Sequence, residues 1–237
     1  MAHGVPQETT ACPAPARRSR TPGSISRAPP YVLPDDAAAI EAFNRTAPVE
    51  TRYDLALFPE PFLGRPDAPV VVLCLNPGWS PDGPIGHKEP NFIRRSRENL
   101  VHAESSFPFH LLDPTLRPPG YRWWGNKLRR PIEEVGLETV AKRVLCVEYF
   151  PYHSDQFSGR TPTVPSQEYG FALVRDAIAR DAVIVVMRSF ARWLAAVPEL
   201  AGYSRRFGLR SVQNVTISPK NCPDGYAAVI DALQSQG

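Results

Sequence analysis

Residues 69–80 read PVVVLCLNPGWS, and the change of character halfway along decides the fold. Pro69–Leu75 is a short apolar run rich in β-branched residues, the pattern of a strand buried on both faces. Asn76-Pro77-Gly78-Trp79-Ser80 stops it, because proline brings no amide to a ladder and glycine frees the backbone. Three more runs read as strands: Arg143–Tyr149 (RVLCVEY), Ala182–Met187 (AVIVVM) and Ser211–Ser218 (SVQNVTIS). An edge strand is expected at Tyr53–Phe58, ahead of the breakers Pro59, Pro61 and Pro66.

Helical patterns fall between and after these runs, over roughly 91–103, 123–135, 167–180, 190–197 and 224–234. Asp35 is placed as the N-cap of an earlier helix reaching Thr46. Strand–helix alternation with doubly apolar strands predicts an α/β fold, a three-layer sandwich around a central, mostly parallel four-stranded sheet. Ligands of such sheets bind beyond the C-terminal ends of the strands. Those ends lead into Asn76–Ser80, Phe150-Pro151-Tyr152-His153-Ser154, Arg188-Ser189 and Pro219-Lys220-Asn221.

Composition narrows the classes. The 237 residues are 43% hydrophobic and carry a net charge of +3, enough apolar content for a sizeable core. No apolar run approaches the ~18 residues of a membrane span. The charge excess sits in residues 1–34, where Arg17, Arg18, Arg20 and Arg27 face Glu8 among seven prolines. That stretch reads as a disordered, basic, Pro-rich tail, with one α/β domain over 35–237. Cys12, Cys74, Cys146 and Cys222 stand at least 62 residues apart, which argues against a disulfide framework and against a zinc or iron–sulfur site. A reduced, cytoplasmic protein without an N-terminal secretory leader is expected.

Two segments carry a family resemblance. VVVLCLNPGWSPDG (70–83) resembles motif one of the uracil-DNA glycosylase superfamily, where a strand enters an (N/D)-P-(G/Y) loop. Thr216-Ile217-Ser218-Pro219-Lys220-Asn221 resembles motif two, which reads H-P-S-P-R-N in the single-strand-selective monofunctional branch. The resemblance spans roughly residues 69–236, with these two motifs as its specific part. It implies a monofunctional DNA glycosylase that uses no cofactor or metal and takes a flipped base into a pocket. DNA is then the partner; no protein partner or membrane is implied, and a monomer is expected.

By that resemblance Asn76 orients the water that attacks the sugar, with Asp82 a candidate to share the task. Each residue also suits a plain turn. Ser218, Lys220 and Asn221 are placed as a clamp on backbone phosphates. Trp79 and Phe92 are rivals for stacking on the base, and a ring in the core is the alternative for both. Residues 117–130 (RPPGYRWWGNKLRR) hold five cations and no acid among three aromatic residues, with Arg122 and Lys127 as DNA contacts. A helix with core tryptophans and a solvated basic face fits the same pattern.

Two departures from the family matter. Thr216 stands where the family carries a histidine that donates to the uracil oxygen, a donor worth a few kcal/mol, on the order of 3, in the transition state. His153 is a candidate replacement. Glu148 falls near the position where the family reads uracil with an asparagine. A carboxyl in an apolar strand either pairs with an arginine, such as Arg188, or serves a site. In a base pocket it accepts from an exocyclic amino group when ionised, or donates to a ring nitrogen when protonated. Both favour an amino-bearing pyrimidine. The expected substrate is therefore a modified or damaged pyrimidine, with modified cytosine such as glucosylated hydroxymethylcytosine of phage DNA favoured, an antiviral defence role known in the superfamily. Open alternatives are a uracil or hydroxymethyluracil repair glycosylase, a non-catalytic nucleic-acid-binding module, and an enzyme of free nucleosides or nucleotides.

Overall fold

The computed structural model describes residues 25–81 and 83–235. Its centre is a five-stranded sheet, not the four-stranded one expected, in the order β1-β3-β2-β4-β5, the antiparallel edge strand β1 making the difference. β1 is Phe62–Leu63, β2 Val70–Cys74, β3 Val144–Glu148, β4 Val183–Val186 and β5 Arg206–Gly208. β1 runs antiparallel to β3, and the other pairings are parallel. Helices α1 (Ala37–Thr46), α2 (Gly83–Gly86), α3 (Pro90–Leu100), α4 (Tyr121–Lys127), α5 (Arg129–Val135), α6 (Leu137–Arg143), α7 (Gln167–Ala179), α8 (Phe190–Ala196) and α9 (Tyr226–Gln234) complete the described chain.

The apolar strands divide by parity, as a pleated sheet requires. Val70, Val72, Cys74, Val144, Cys146, Val183 and Val185 face a core completed by Trp124 of α4, Val140 and Ala141 of α6, and Val229 and Leu233 of α9. Val71, Leu73, Leu145, Val147, Ile184 and Val186 face the opposite core, with Phe171 and Val174 of α7 and Trp193 of α8. Both faces are covered, which is why these strands read as unbroken apolar runs. The chain leaves β2 for β3 on one side, then crosses to β4 on the other. The C-terminal ends of these three strands therefore form a topological switch point.

Four more expectations are corrected. Ser211–Ser218 is not a strand; the parallel strand beside β4 is Arg206–Gly208. The alternation that suggested a strand comes from Val215 and Ile217, which are buried in the first of these cores without pairing in the sheet. Tyr53–Phe58 is a turn, because the Asp54 carboxylate accepts the Ala56 amide at 3.0 Å; the edge strand is Phe62–Leu63. The helix expected over 123–135 is two helices. Pro131 has no amide to offer the Lys127 carbonyl, which accepts instead from Ile217 N at 2.9 Å. Finally, order begins before Pro34. Ile25, Tyr31 and Leu33 are buried with Phe58 and Phe62, and Arg97 donates to the Ile25 and Ser26 carbonyls. The rest of the expected tail lies outside the described residues.

Asp36, not Asp35, precedes α1, and it does not cap with its side chain. Its fully buried carboxylate accepts from Tyr152 Oη at 2.7 Å and from the amide of Ser166 at 3.1 Å, tying the chain before α1 to the segment after β3. Asp36→Ala strands those donors, and urea titration should show a loss of about 3 kcal/mol.

Candidate active site

The β2–β3 ladder continues past the strands. Phe150 N donates to Leu75 O at 2.9 Å, and Trp193 Nε1 donates to Cys74 O at 2.8 Å. This brings the segments after β2 and β3 side by side at the mouth of a cleft of about 920 Å³. Asn76, Trp79, Glu148, His153, Arg122 and Arg188 all line it.

The Asn76 carboxamide is held by its nitrogen, which donates to Ser154 Oγ at 3.0 Å and to the carbonyl of Pro77 at 3.1 Å. Carbonyl partners fix the amide orientation, since only the nitrogen can donate. The Oδ1 acceptor has no protein donor among the described residues, so it is free to accept from a water or a ligand. Gly78 forms a bridge to Ser154, and a Cβ placed there would meet open space.

Glu148 ends β3 and is 8% exposed. Its Oε1 lies 3.7 Å from the Cys146 thiol, and Oε2 is buried without a partner among the described residues. Burial, then the nearby Glu60 carboxyl, push its pKa up to about 8, against smaller downward pulls from the Cys146 thiol and Arg188. Glu148 is thus a neutral acid at pH 7, offering one O–H donor and one carbonyl acceptor. Arg188, the pairing partner considered above, is exposed and makes no ion pair with it.

His153 is a correction. Its Nδ1 lies 2.8 Å from Gly78 O and its Nε2 3.0 Å from Phe58 O, so both nitrogens face backbone carbonyls and none is left for a base. It staples the Asn76 loop to the segment before β1. Burial pulls its pKa below the usual histidine value despite the opposing pull of the two carbonyls, so the neutral ring donates its one N–H to one of them. His87 is the buried histidine that sequence reasoning missed. Its Nδ1 accepts the Phe58 amide at 2.8 Å, which places its proton on Nε2. Burial first, and then His153 and His110, drive its pKa down to about 2, so it is a neutral donor lining the cleft. The only sequence signal was a histidine in the loop after motif one. Glu60, His87 and His153 each bring a donor atom within 4.8 Å of the others. With His153 committed, they make a polar wall rather than a cation cage.

The remaining candidates divide. Trp79 and Trp123 are each 40% exposed on the cleft rim, and Trp79 Nε1 donates to Asp54 at 3.3 Å. Phe92 is a correction: it is buried in the core, with its ring against His87 and His110. Arg122 is exposed at the rim. Lys127 donates to Asn214 Oδ1 at 3.0 Å and sits over the Trp123 ring, supporting the rim from behind. Asp82 lies outside the described residues. No residue of the second motif lines the cleft: Val215, just ahead of it, does, whereas Ser218, Lys220 and Asn221 do not. Asn221 is spent inside its own loop, donating to the carbonyls of Asn214 at 3.0 Å and Thr216 at 2.9 Å and accepting from Ser211 N at 2.7 Å. Ser218 Oγ accepts the Asn221 amide, and Lys220 is exposed. The clamp is a loop organiser plus a solvated lysine.

No protein-family model, curated protein or solved structure matches the chain. Among the described residues, no helix is long and apolar enough to cross a membrane.

Two measurements check these assignments. An unfolded chain releases the Glu148 proton near pH 4.5 and the folded one holds it to about 8. The native state binds more protons across that window, so stability falls as pH rises. Glu148→Gln removes this contribution. Its stability relative to the parent should therefore climb from pH 5 to pH 8, by up to roughly 1.4 kcal/mol per pH unit, in parallel denaturant titrations. Asn221→Ala should cost about 2 kcal/mol in the same assay, and Lys220→Ala nothing measurable.

Proposed function

We propose that this protein is a monofunctional DNA glycosylase acting on a modified cytosine, with glucosylated hydroxymethylcytosine of phage DNA the favoured substrate and antiviral defence the favoured role. The observation that carries the reading is the placement of an Asn76 acceptor and a neutral Glu148 acid in one cleft at the switch point of the sheet. The resemblance of the segment around Asn76 to motif one of the uracil-DNA glycosylase superfamily supports it, although the second motif stays off the cleft, and so does the rim of Arg117, Arg122, Arg188, Trp79 and Trp123. Cations grip phosphates, and indole rings stack on unpaired bases.

The chemistry divides between the two residues. A flipped base sits against Glu148, and the sugar above it gains oxocarbenium character as the N-glycosidic bond lengthens. Asn76 Oδ1 accepts a hydrogen bond from water and holds that water against the cationic carbon. A neutral carboxylic acid matches the edge of cytosine or of uracil equally in hydrogen bonding. What separates them is the ring nitrogen N3, which carries a lone pair in cytosine and a proton in uracil. Glu148 therefore passes its proton to cytosine N3, and the bonding pair leaves with the base. Water adds to the sugar carbon and loses a proton, giving an abasic site and the free base. His87 adds a second neutral donor beside the base.

The test is a panel of single-stranded and duplex oligonucleotides carrying uracil, hydroxymethyluracil, hydroxymethylcytosine or its glucosylated form, each developed with mild alkali to reveal abasic sites. Cleavage at the modified cytosines is expected. Asn76→Ala and Glu148→Gln should each lower the rate by roughly 10²–10⁴ while DNA binding is retained. Cleavage confined to the uracil substrates refutes the role given to Glu148, and no cleavage on any substrate refutes the glycosylase reading.

A further inference from the structure

Glu60 and Glu148 both open on the cleft, and neither enters an ion pair among the described residues. Strand pairing brings their backbones close, with Pro61 beside Glu148 and Glu60 one residue away. Phe62 stands opposite Val147, the Glu148 amide donates to the Pro61 carbonyl at 3.0 Å, and the Glu60 amide donates to the Pro151 carbonyl at 3.0 Å. Glu60 is thereby pinned between two prolines on the strand edge beside Glu148. Its carboxyl is buried and makes no protein hydrogen bond among the described residues.

The neighbours supply little compensation. Cys146 on the same strand and Cys74 on β2 face Glu148; burial pushes the Cys146 thiol up, and the Cys74 thiol, drawn down by its hydrogen bond with Cys146, is still raised on balance by burial and Glu148. Arg188 at the end of β4 acts from an exposed position. His87 and His153 face Glu60, His87 as a neutral ring. Burial raises both carboxyls to about 8, with a charge on Glu60 adding to the rise at Glu148, so ionising both near neutral pH is disfavoured.

We propose that Glu60 and Glu148 form a coupled carboxyl pair, in which Glu60 is a positioning residue that keeps an acid proton on Glu148. For its chemistry this role rests on the glycosylase reading; the coupling itself does not. In the cycle Glu148 gives its proton to the departing base. The proton released by the water that adds to the sugar returns to the pair. Glu60 resists full ionisation of the wall in the interval, so Glu148 recovers the proton before the next substrate.

The coupling is measurable without turnover. Infrared titration of protein labelled with carbon-13 at glutamate side chains reads the protonated carboxyl stretch directly. Glu148→Gln and Glu60→Gln serve to assign the two bands. In the unmutated protein the two protons should leave in separate steps, the second above pH 7. In Glu60→Gln, the remaining Glu148 proton should leave at least about one pH unit below that second step. The alkaline limb of the rate profile for abasic-site formation should move down with it. An unchanged Glu148 titration in Glu60→Gln, or a single uncoupled step in the unmutated protein, overturns the proposal. The latter measurement decides it even if the variant does not fold. If the titrations shift as stated but no substrate is cleaved, the pair stands and the glycosylase reading falls.

Discussion

Cys74 stands opposite Glu148 at the last rung of the β2–β3 ladder, and the working side chains take their places from that rung. Parallel register fixes which residues share a level. Beyond it, the bond from Phe150 to Leu75 carries the pairing two residues further, so Asn76 and the segment from Tyr152 to Ser154 must meet. Apolar packing on both faces leaves β2 and β3 no freedom to slip, because a slip of one residue would exchange Val70, Val72 and Cys74 for Val71 and Leu73. The site is therefore as well fixed as the core beneath it.

That location has an energetic consequence. A carboxyl at the end of an apolar strand is desolvated, and no cation compensates it at close range. The fold tolerates the arrangement because the group stays neutral, at a cost to stability that grows with pH. An arginine beside Glu148 would relieve the cost and would also ionise the acid. On the proposed function, exposed Arg188 and buried Glu148 divide two tasks that a salt bridge would cancel: one attracts phosphate, the other holds a proton.

Much of the architecture was legible because it depends on local signals. Unbroken Val, Leu and Ile runs marked β2, β3 and β4, and the Pro-Gly pair after Leu75 marked the strand end where the cleft opens. The failures share one cause: alternation in sequence shows that a residue is buried, not against what. Val215 and Ile217 looked like strand positions and are buried without pairing in the sheet, while Phe92 looked like a stacking ring and fills the core. Asn221 looked like a phosphate ligand because its residue type suited the task, yet carbonyls from Asn214 and Thr216 fold back on it. Glu60 and His87 were illegible for the opposite reason. Each is an isolated polar residue in an irregular segment, and only the edge pairing of β1 and the turn before α3 aim them at the cleft.

The seat of the His153 ring between the carbonyls of Gly78 and Phe58 reaches beyond geometry. A loop tied down by a buried ring enters its working shape as the chain folds and does not wait for a visitor. On the proposed function, little conformational entropy then remains to be lost when a nucleotide docks, and the acceptor on Asn76 is already aimed. Under that proposal, loosening the ring would weaken capture of the nucleotide without altering a single atom that touches it.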